Sequence, residues 1–290
     1  MKKLVIFGVG LIGGSVALAL KKAGFVTHIV GVGRSAQSLD EALKLGVIDA
    51  AETNIAAALD DADMLLLATP VAQTASILQS IKPHLNQKTV ITDAGSTKGD
   101  VLACAKAILG EKFGQFVGAH PIAGAEKSGV AAANADLFID KNVVLTPTLE
   151  TNRDEYASVA AMWQACGANI CKMSAENHDA IFAAVSHLPH LLAFALVDEI
   201  ASRPNAAELF GFAASGFRDF TRIAGSSPEM WRDISLANKD ALLNEINAYQ
   251  EKLIQLKQLL DNDNSSELQT LFERASVARN AWANGKKFNG

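Results

Sequence analysis

Over the first 173 residues, apolar positions come in short unbroken runs separated by Ala- and Leu-rich stretches. The run at 4–7, Leu-Val-Ile-Phe, reads as a strand buried on both faces. Comparable runs predict strands at 28–32, 63–69, 89–93, 116–119, 142–147 and 169–173. The stretches between them predict helices at 13–23, 39–44, 71–81, 98–109 and 152–166. Strands alternating with helices imply βαβ units, right-handed crossovers and a parallel sheet with helices on both faces. From residue 175 the strand signals stop. Helical stretches follow at 175–202, 206–224, 228–260 and 265–284, with breaks around Pro204 and 262–266. The expected architecture is a doubly wound α/β domain over 1–174, then an all-α domain over 175–290. Leu242, Ile246, Tyr249, Leu253, Leu256 and Leu260 recur at helical spacing, which suits either an internal core or a dimer seam.

Composition narrows the function classes. A chain of 290 residues with 49% apolar and 20% charged residues can build two cores. A net charge of −5 offers no basic footprint for nucleic acid. Cys104, Cys166 and Cys171 are odd in number and lack CxxC spacing, so neither a disulfide framework nor a zinc site is expected. A reducing compartment suits them. The apolar run after Met1-Lys2-Lys3 meets Gly8 too soon for a signal peptide, and no stretch approaches the ~20 apolar residues of a membrane span. The expectation is a cytoplasmic protein without metal, membrane or nucleic-acid partner.

Chemistry enters at the first strand-to-helix turn. Gly8-Val9-Gly10-Leu11-Ile12-Gly13 is a GxGxxG turn directly after an apolar strand. Gly8 would allow the tight turn, Gly10 the approach of a pyrophosphate, and Gly13 close helix packing. The N–H groups at the start of the next helix, from Leu11 and Ile12 on, would face the phosphates. That makes the domain Rossmann-type. The second strand ends in Gly33-Arg34-Ser35, where an acid would bind the ribose hydroxyls of NAD. Arg34 and Ser35 instead favour the 2′-phosphate of NADP, with NAD the alternative. Thr69 follows the third strand, near the expected nicotinamide ribose.

Further blocks follow: Asp93-Ala-Gly-Ser96-Thr-Lys98-Gly, Gly118-Ala-His120-Pro-Ile-Ala-Gly124-Ala-Glu126, Ser186-His187-Leu-Pro-His190, Gly216-Phe-Arg-Asp219-Phe-Thr-Arg222, and Pro228-Glu-Met-Trp231. Together, and over nearly the whole chain, they resemble the prephenate/arogenate dehydrogenase family of tyrosine biosynthesis. The resemblance implies an NAD(P)-dependent oxidative decarboxylation of prephenate or arogenate by a homodimer. It implies that His120 is the catalytic histidine and that Ser96 hydrogen-bonds that histidine and the ring hydroxyl. It implies Arg222 as the carboxylate-binding arginine, His190 and Trp231 as pocket residues, Glu126 as an acid near the pocket entrance, and Asp219 near the active site at the dimer interface. Some family members carry a mutase fusion or a regulatory domain, and neither is expected here.

The residues support several of these roles independently. His120 sits at the end of a predicted strand, where ligands of doubly wound folds bind, and an imidazole can take an alcohol proton near neutral pH. Ser96 could orient that ring or cap the helix beginning near Lys98. Arg222 offers a bidentate fork, with Arg218 and Arg232 as rivals. His187 reads as helix packing, His178 and Asp179 as the opening of the first helix of the second domain, and His28 and His84 as surface. Trp163 and Trp282 read as packing residues. A β-hydroxyacid dehydrogenase would need a catalytic lysine, for which Lys172 and Lys239 are the candidates, and neither has a matching surround. A non-catalytic NADPH-sensing module would leave His120, Ser96 and Arg222 unexplained.

Overall fold

The computed structural model describes residues 1–125 and 127–285. β1 (Lys3–Phe7) is apolar without alternation because both of its faces are covered. Leu4 and Ile6 enter one core, and Val5 and Phe7 the other. The same division runs through β2 (His28–Val32) and β4 (Met64–Leu67), where odd and even positions feed opposite cores. β5 (Val90–Asp93), β6 (Phe116–Pro121), β7 (Asn142–Thr146) and β8 (Asn169–Lys172) complete the predicted strands. Helices α1 (Leu11–Lys22), α2 (Ala36–Lys44), α4 (Thr74–Ile81), α5 (Gly99–Leu109) and α6 (Arg153–Ala165) cover them. Two short elements lack a sequence signal: β3 (Ala50–Ala51) is two residues long and α3 (Ile55–Leu59) little more than a turn.

The eight strands lie in the order β3-β2-β1-β4-β5-β6-β7-β8. The expected all-parallel sheet is corrected at one place: β7 runs antiparallel to β6. Among the described residues of the link between them, the helical structure is a single 3-10 turn, Val130–Ala132. Without a packed crossover helix the chain returns alongside β6 in the opposite sense.

Beyond the sheet, α7 (Ala175–Phe182), a π-helical turn (Ala183–His187) and α8 (Leu188–Ala201) form one continuous run. Contrary to the sequence expectation, this run of 27 residues is long and apolar enough to cross a membrane by length and composition. Its polar residues His178 and His187 are buried within the protein. α9 (Ala206–Gly211), α10 (Ser215–Thr221) and α11 (Pro228–Ala237) follow. The single helix expected at 228–260 divides at Asn238, after which α12 (Lys239–Asp261) begins.

Contacts divide the chain into two compact units, Met1–Ala241 and Leu242–Gly290. In the second, α13 (Ser265–Ala283) starts where the Asn264 side chain accepts from the Glu267 N–H. Of the predicted stripe, Tyr249, Leu253 and Leu260 are exposed in the single chain. Trp282, expected to pack, is 72% exposed and lies beneath the Arg279 guanidinium.

Candidate active site

β1 turns into α1 through Gly8, whose φ of +92° favours glycine. A Cβ on Gly8 would lie 2.6 Å from the Ala68 carbonyl oxygen, and one on Gly13 only 2.2 Å from that of Gly8. Gly10 has nothing within 4 Å of its Cβ position, so open space stands above the turn. That cradle, at the N-terminus of α1, fits a dinucleotide pyrophosphate. The cleft around it, about 810 Å³, is lined by Gly8, Gly10, Arg34, Ser35 and Thr69, among others. The Ser35 hydroxyl also caps α2 by accepting from the Ser38 N–H. Leu11, Ile12, Thr69 and Ser96 face an adjoining cavity of about 390 Å³, which shares Gly10 and Thr69 with the first.

His120 occupies the carboxyl end of β6. Its Nδ1 lies 2.8 Å from His178 Nε2, and His178 Nδ1 lies 2.7 Å from Asp179 Oδ1. Asp179 also accepts the backbone N–H groups of Lys98 and Gly99 at the start of α5. Burial alone would raise the Asp179 carboxyl, but the His178 and backbone hydrogen bonds outweigh it and hold it below its usual value. A carboxylate can only accept, so His178 donates through Nδ1 and its Nε2 accepts from His120 Nδ1–H. The proton on His120 is thereby placed on Nδ1 and its Nε2 carries a lone pair. Burial, then the neighbouring His178, Lys98 and His187, depress the His120 pKa well below that of a free imidazole. The ring is neutral at pH 7 and able to accept a proton.

Ser96 lies in the loop after β5. It is not the cap of α5, which begins at Gly99 with Lys98 preceding it and with Asp179 supplying the acceptor. His187 is buried, and its Nδ1 faces the Asn238 amide nitrogen at 3.1 Å. That nitrogen also donates to the Asp179 carbonyl, so His187 Nδ1 accepts and its Nε2 bears the proton. Desolvation pushes the His187 pKa down to about 4. The Ser96 backbone faces His187, and among the described residues Trp231 Nε1 is buried without a hydrogen-bond partner.

His190 stacks on Trp231 with ring centroids 3.6 Å apart and donates through Nδ1 to the Ser186 carbonyl. Burial, more than the nearby Arg222 charge, lowers its pKa. His190 and Arg222 line one cavity of about 470 Å³, which meets the Ser96 cavity at Ala125 and Ser226. Of the rival arginines, Arg232 pairs with Asp233 at 2.6 Å and Arg218 lies exposed on α10. Asp219 is also exposed on α10. Glu126 lies outside the described residues. Lys172 lies over the Tyr156 ring and is thereby accounted for.

The arrangement therefore offers a nucleotide cleft, a neutral base held at the strand ends, and an adjoining cavity bearing a guanidinium. Residues 16–172 match the family profile described as prephenate dehydrogenase, nucleotide-binding domain, and 174–274 the one described as prephenate dehydrogenase, dimerization domain. The chain belongs to the prephenate dehydrogenase family. It is 38% identical to a prephenate dehydrogenase of Bacillus subtilis over 95% of this chain and 75% of that protein. The structure of a prephenate dehydrogenase from Aquifex aeolicus in complex with hydroxyphenyl propionate and NAD+ superposes with a TM-score of 0.91. Identity there is 39%, covering 96% of this chain and 97% of that one. An arogenate dehydrogenase from Synechocystis gives a TM-score of 0.81 at 29% identity, covering 97% and 99%.

In this prephenate dehydrogenase family chain, His178 and Asp179 hold the base, although their sequence reads only as the opening of a helix. They lie in the second turn of α7, whose opening is capped by Ser174. Asn238 carries no sequence signal. A signal existed in His178-Asp179, a His–carboxylate dipeptide at the start of the helical half, but only the fold brings it to His120.

Proposed function

We propose that this chain oxidises prephenate, with arogenate a second substrate, to 4-hydroxyphenylpyruvate or tyrosine and carbon dioxide. The observation that carries the reading is the Asp179–His178–His120 array, which leaves His120 Nε2 unprotonated at the strand ends. Gly10 and Thr69 would hold the nicotinamide end of the cofactor, which would supply the hydride acceptor. His120 takes the proton of the ring hydroxyl as its carbon gives up hydride, and the hydroxyl becomes a ring carbonyl. The carbon–carboxylate bond then breaks, its electron pair enters the ring, and the phenolate oxygen so formed takes the proton back from His120 to become a phenol. Aromatisation drives that second step, so the residues mainly have to orient the hydroxyl carbon and hold the proton acceptor. Ser96 orients the hydroxyl, Arg222 binds a carboxylate, and His190 with Trp231 forms the wall beside it.

Charge favours prephenate. Lys127 and Arg222 are among the described residues lining the two substrate-side cavities. That suits a dicarboxylate better than the ammonium group of arogenate. Arg34 and Ser35 at the end of β2, with no acid among the described lining residues, favour NADP over NAD. We further propose a nucleotide-binding half over 1–174 and a substrate and dimerisation half over 175–290, paired as a homodimer. Exposed Tyr249, Leu253 and Leu260 supply an apolar strip for it. Steady-state kinetics with each substrate and each cofactor test the whole reading. Turnover of prephenate supports it; no turnover of either substrate with either cofactor overturns it. An Arg34→Ala chain should lose affinity for NADP and keep that for NAD.

A further inference from the structure

Asp93, the last residue of β5, is buried together with Lys98, the last residue before α5. Their side chains form an ion pair, the Lys98 ammonium on Asp93 Oδ2. The same carboxylate makes two further contacts. Oδ2 accepts the Gly95 N–H at 2.9 Å, and Oδ1 accepts the Ala119 N–H at 2.9 Å. Gly95 is the residue before Ser96, and Ala119 is the residue before His120.

β5 and β6 pair in parallel, with Ile91 opposite Phe116 and Thr92 opposite Val117. Regular pairing stops there, just before both functional residues. Beyond that point the backbone N–H of Ala119 is taken up by the Asp93 side chain instead of a neighbouring strand. The carboxylate thus replaces the ladder where the two strand ends diverge. The surroundings are shaped for it: a Cβ on Gly95 would lie 2.8 Å from Asp93 Oδ2, so that glycine leaves room for the carboxylate.

We propose that the Asp93 carboxylate is a positioning residue that sets Ser96 and His120 in register with each other, with Lys98 fixing the carboxylate in turn. A carboxylate can accept from both N–H groups and from the ammonium at once. An asparagine there can accept on one side only, and its NH2 would face either a backbone N–H or the lysine. Neither Asp93 nor Lys98 lines a cavity described above, so the carboxylate acts through backbone geometry, beside the direct effect of the Lys98 charge on the His120 pKa, which a kcat–pH profile of the two variants separates.

The proposal rests on the dehydrogenase reading, and the experiment separates the two. Wild type, Asp93→Asn and the double variant Asp93→Asn/Lys98→Met are assayed for kcat and KM with prephenate, cofactor Kd by nucleotide fluorescence, and Tm. Asp93→Asn strands a buried lysine and should lower Tm, whereas the double variant removes both charges and should recover much of it. Expected is a kcat loss on the order of 10²-fold in both variants, with KM and cofactor Kd little changed, because misplacement by an ångström costs about that much. Recovery of wild-type kcat in the double variant would reduce the pair to a stability element and overturn the proposal. So would an unimpaired Asp93→Asn, a kcat loss matched by lost cofactor binding, or failure of both variants to fold. A wild type inactive on prephenate would instead strike the functional reading.

Discussion

His120 meets His178 across 2.8 Å, Nδ1 to Nε2, and that contact decides which nitrogen of His120 is basic. The choice originates at Asp179, which accepts from His178 and from two backbone N–H groups of the α5 start. A helix terminus, a carboxylate and two imidazoles thus fix one tautomer at the end of β6.

Removing the anchor should disorient the base without emptying the cleft. Asp179→Asn can donate where the carboxylate accepts, which frustrates the His178 tautomer. The expected loss in kcat is about 10²- to 10⁴-fold, the upper end matching the analogous change in a serine-protease triad. Cofactor Kd should hold, because Asp179 is not among the residues lining the nucleotide cleft. Parallel kinetics and nucleotide titration check both halves.

Stability should fall in mild acid, and His187 sets much of the window. Its pKa is about 4 in the folded chain against a usual 6.5. Between these values the unfolded chain binds the proton and the folded one does not, so stability rises with pH across the interval and is lost as pH drops through it. With His187 1% exposed, the full difference is about 3 kcal/mol between pH 7 and pH 4. His120, His178 and His190 are also depressed and act in the same direction. Urea unfolding at pH 7, 5.5 and 4.5 should show the decline, and His187→Gln should make it shallower.

Two glycines of the same turn should fail differently. Gly13→Ala forces a methyl to 2.2 Å from the Gly8 carbonyl and should destabilise the fold by about 2–4 kcal/mol. Gly10→Ala meets no protein atom within 4 Å and should leave Tm near the wild-type value. Its methyl instead stands where the pyrophosphate approaches, so cofactor Kd should rise roughly tenfold or more. Thermal melts and nucleotide titration separate the two outcomes.

Much of this architecture could be read from periodicity. Continuous runs such as 4–7 signal strands buried on both faces, and Leu4/Ile6 against Val5/Phe7 show why. The reversal of β7 was not legible, because an apolar run carries no direction and only the weak link through Val130–Ala132 distinguishes it. The break at Asn238 was hidden by helical residues on both sides; its side chain serves Asp179 and His187, partners 59 and 51 positions away. His120, Ser96 and Arg222 stood out through the motifs around them. His178 and Asp93 did not, since a buried polar residue is recognisable only by the atoms the fold sets against it.

On this mechanism the His120 imidazole accepts the substrate's hydroxyl proton. Asparagine at that position keeps a polar group near His178 but has no basic nitrogen. Single-turnover hydride transfer by His120→Asn, with cofactor and prephenate saturating, tests it most directly. The predicted result is a rate about 10²- to 10⁴-fold below wild type with cofactor Kd unchanged. A rate within about threefold of wild type would contradict it.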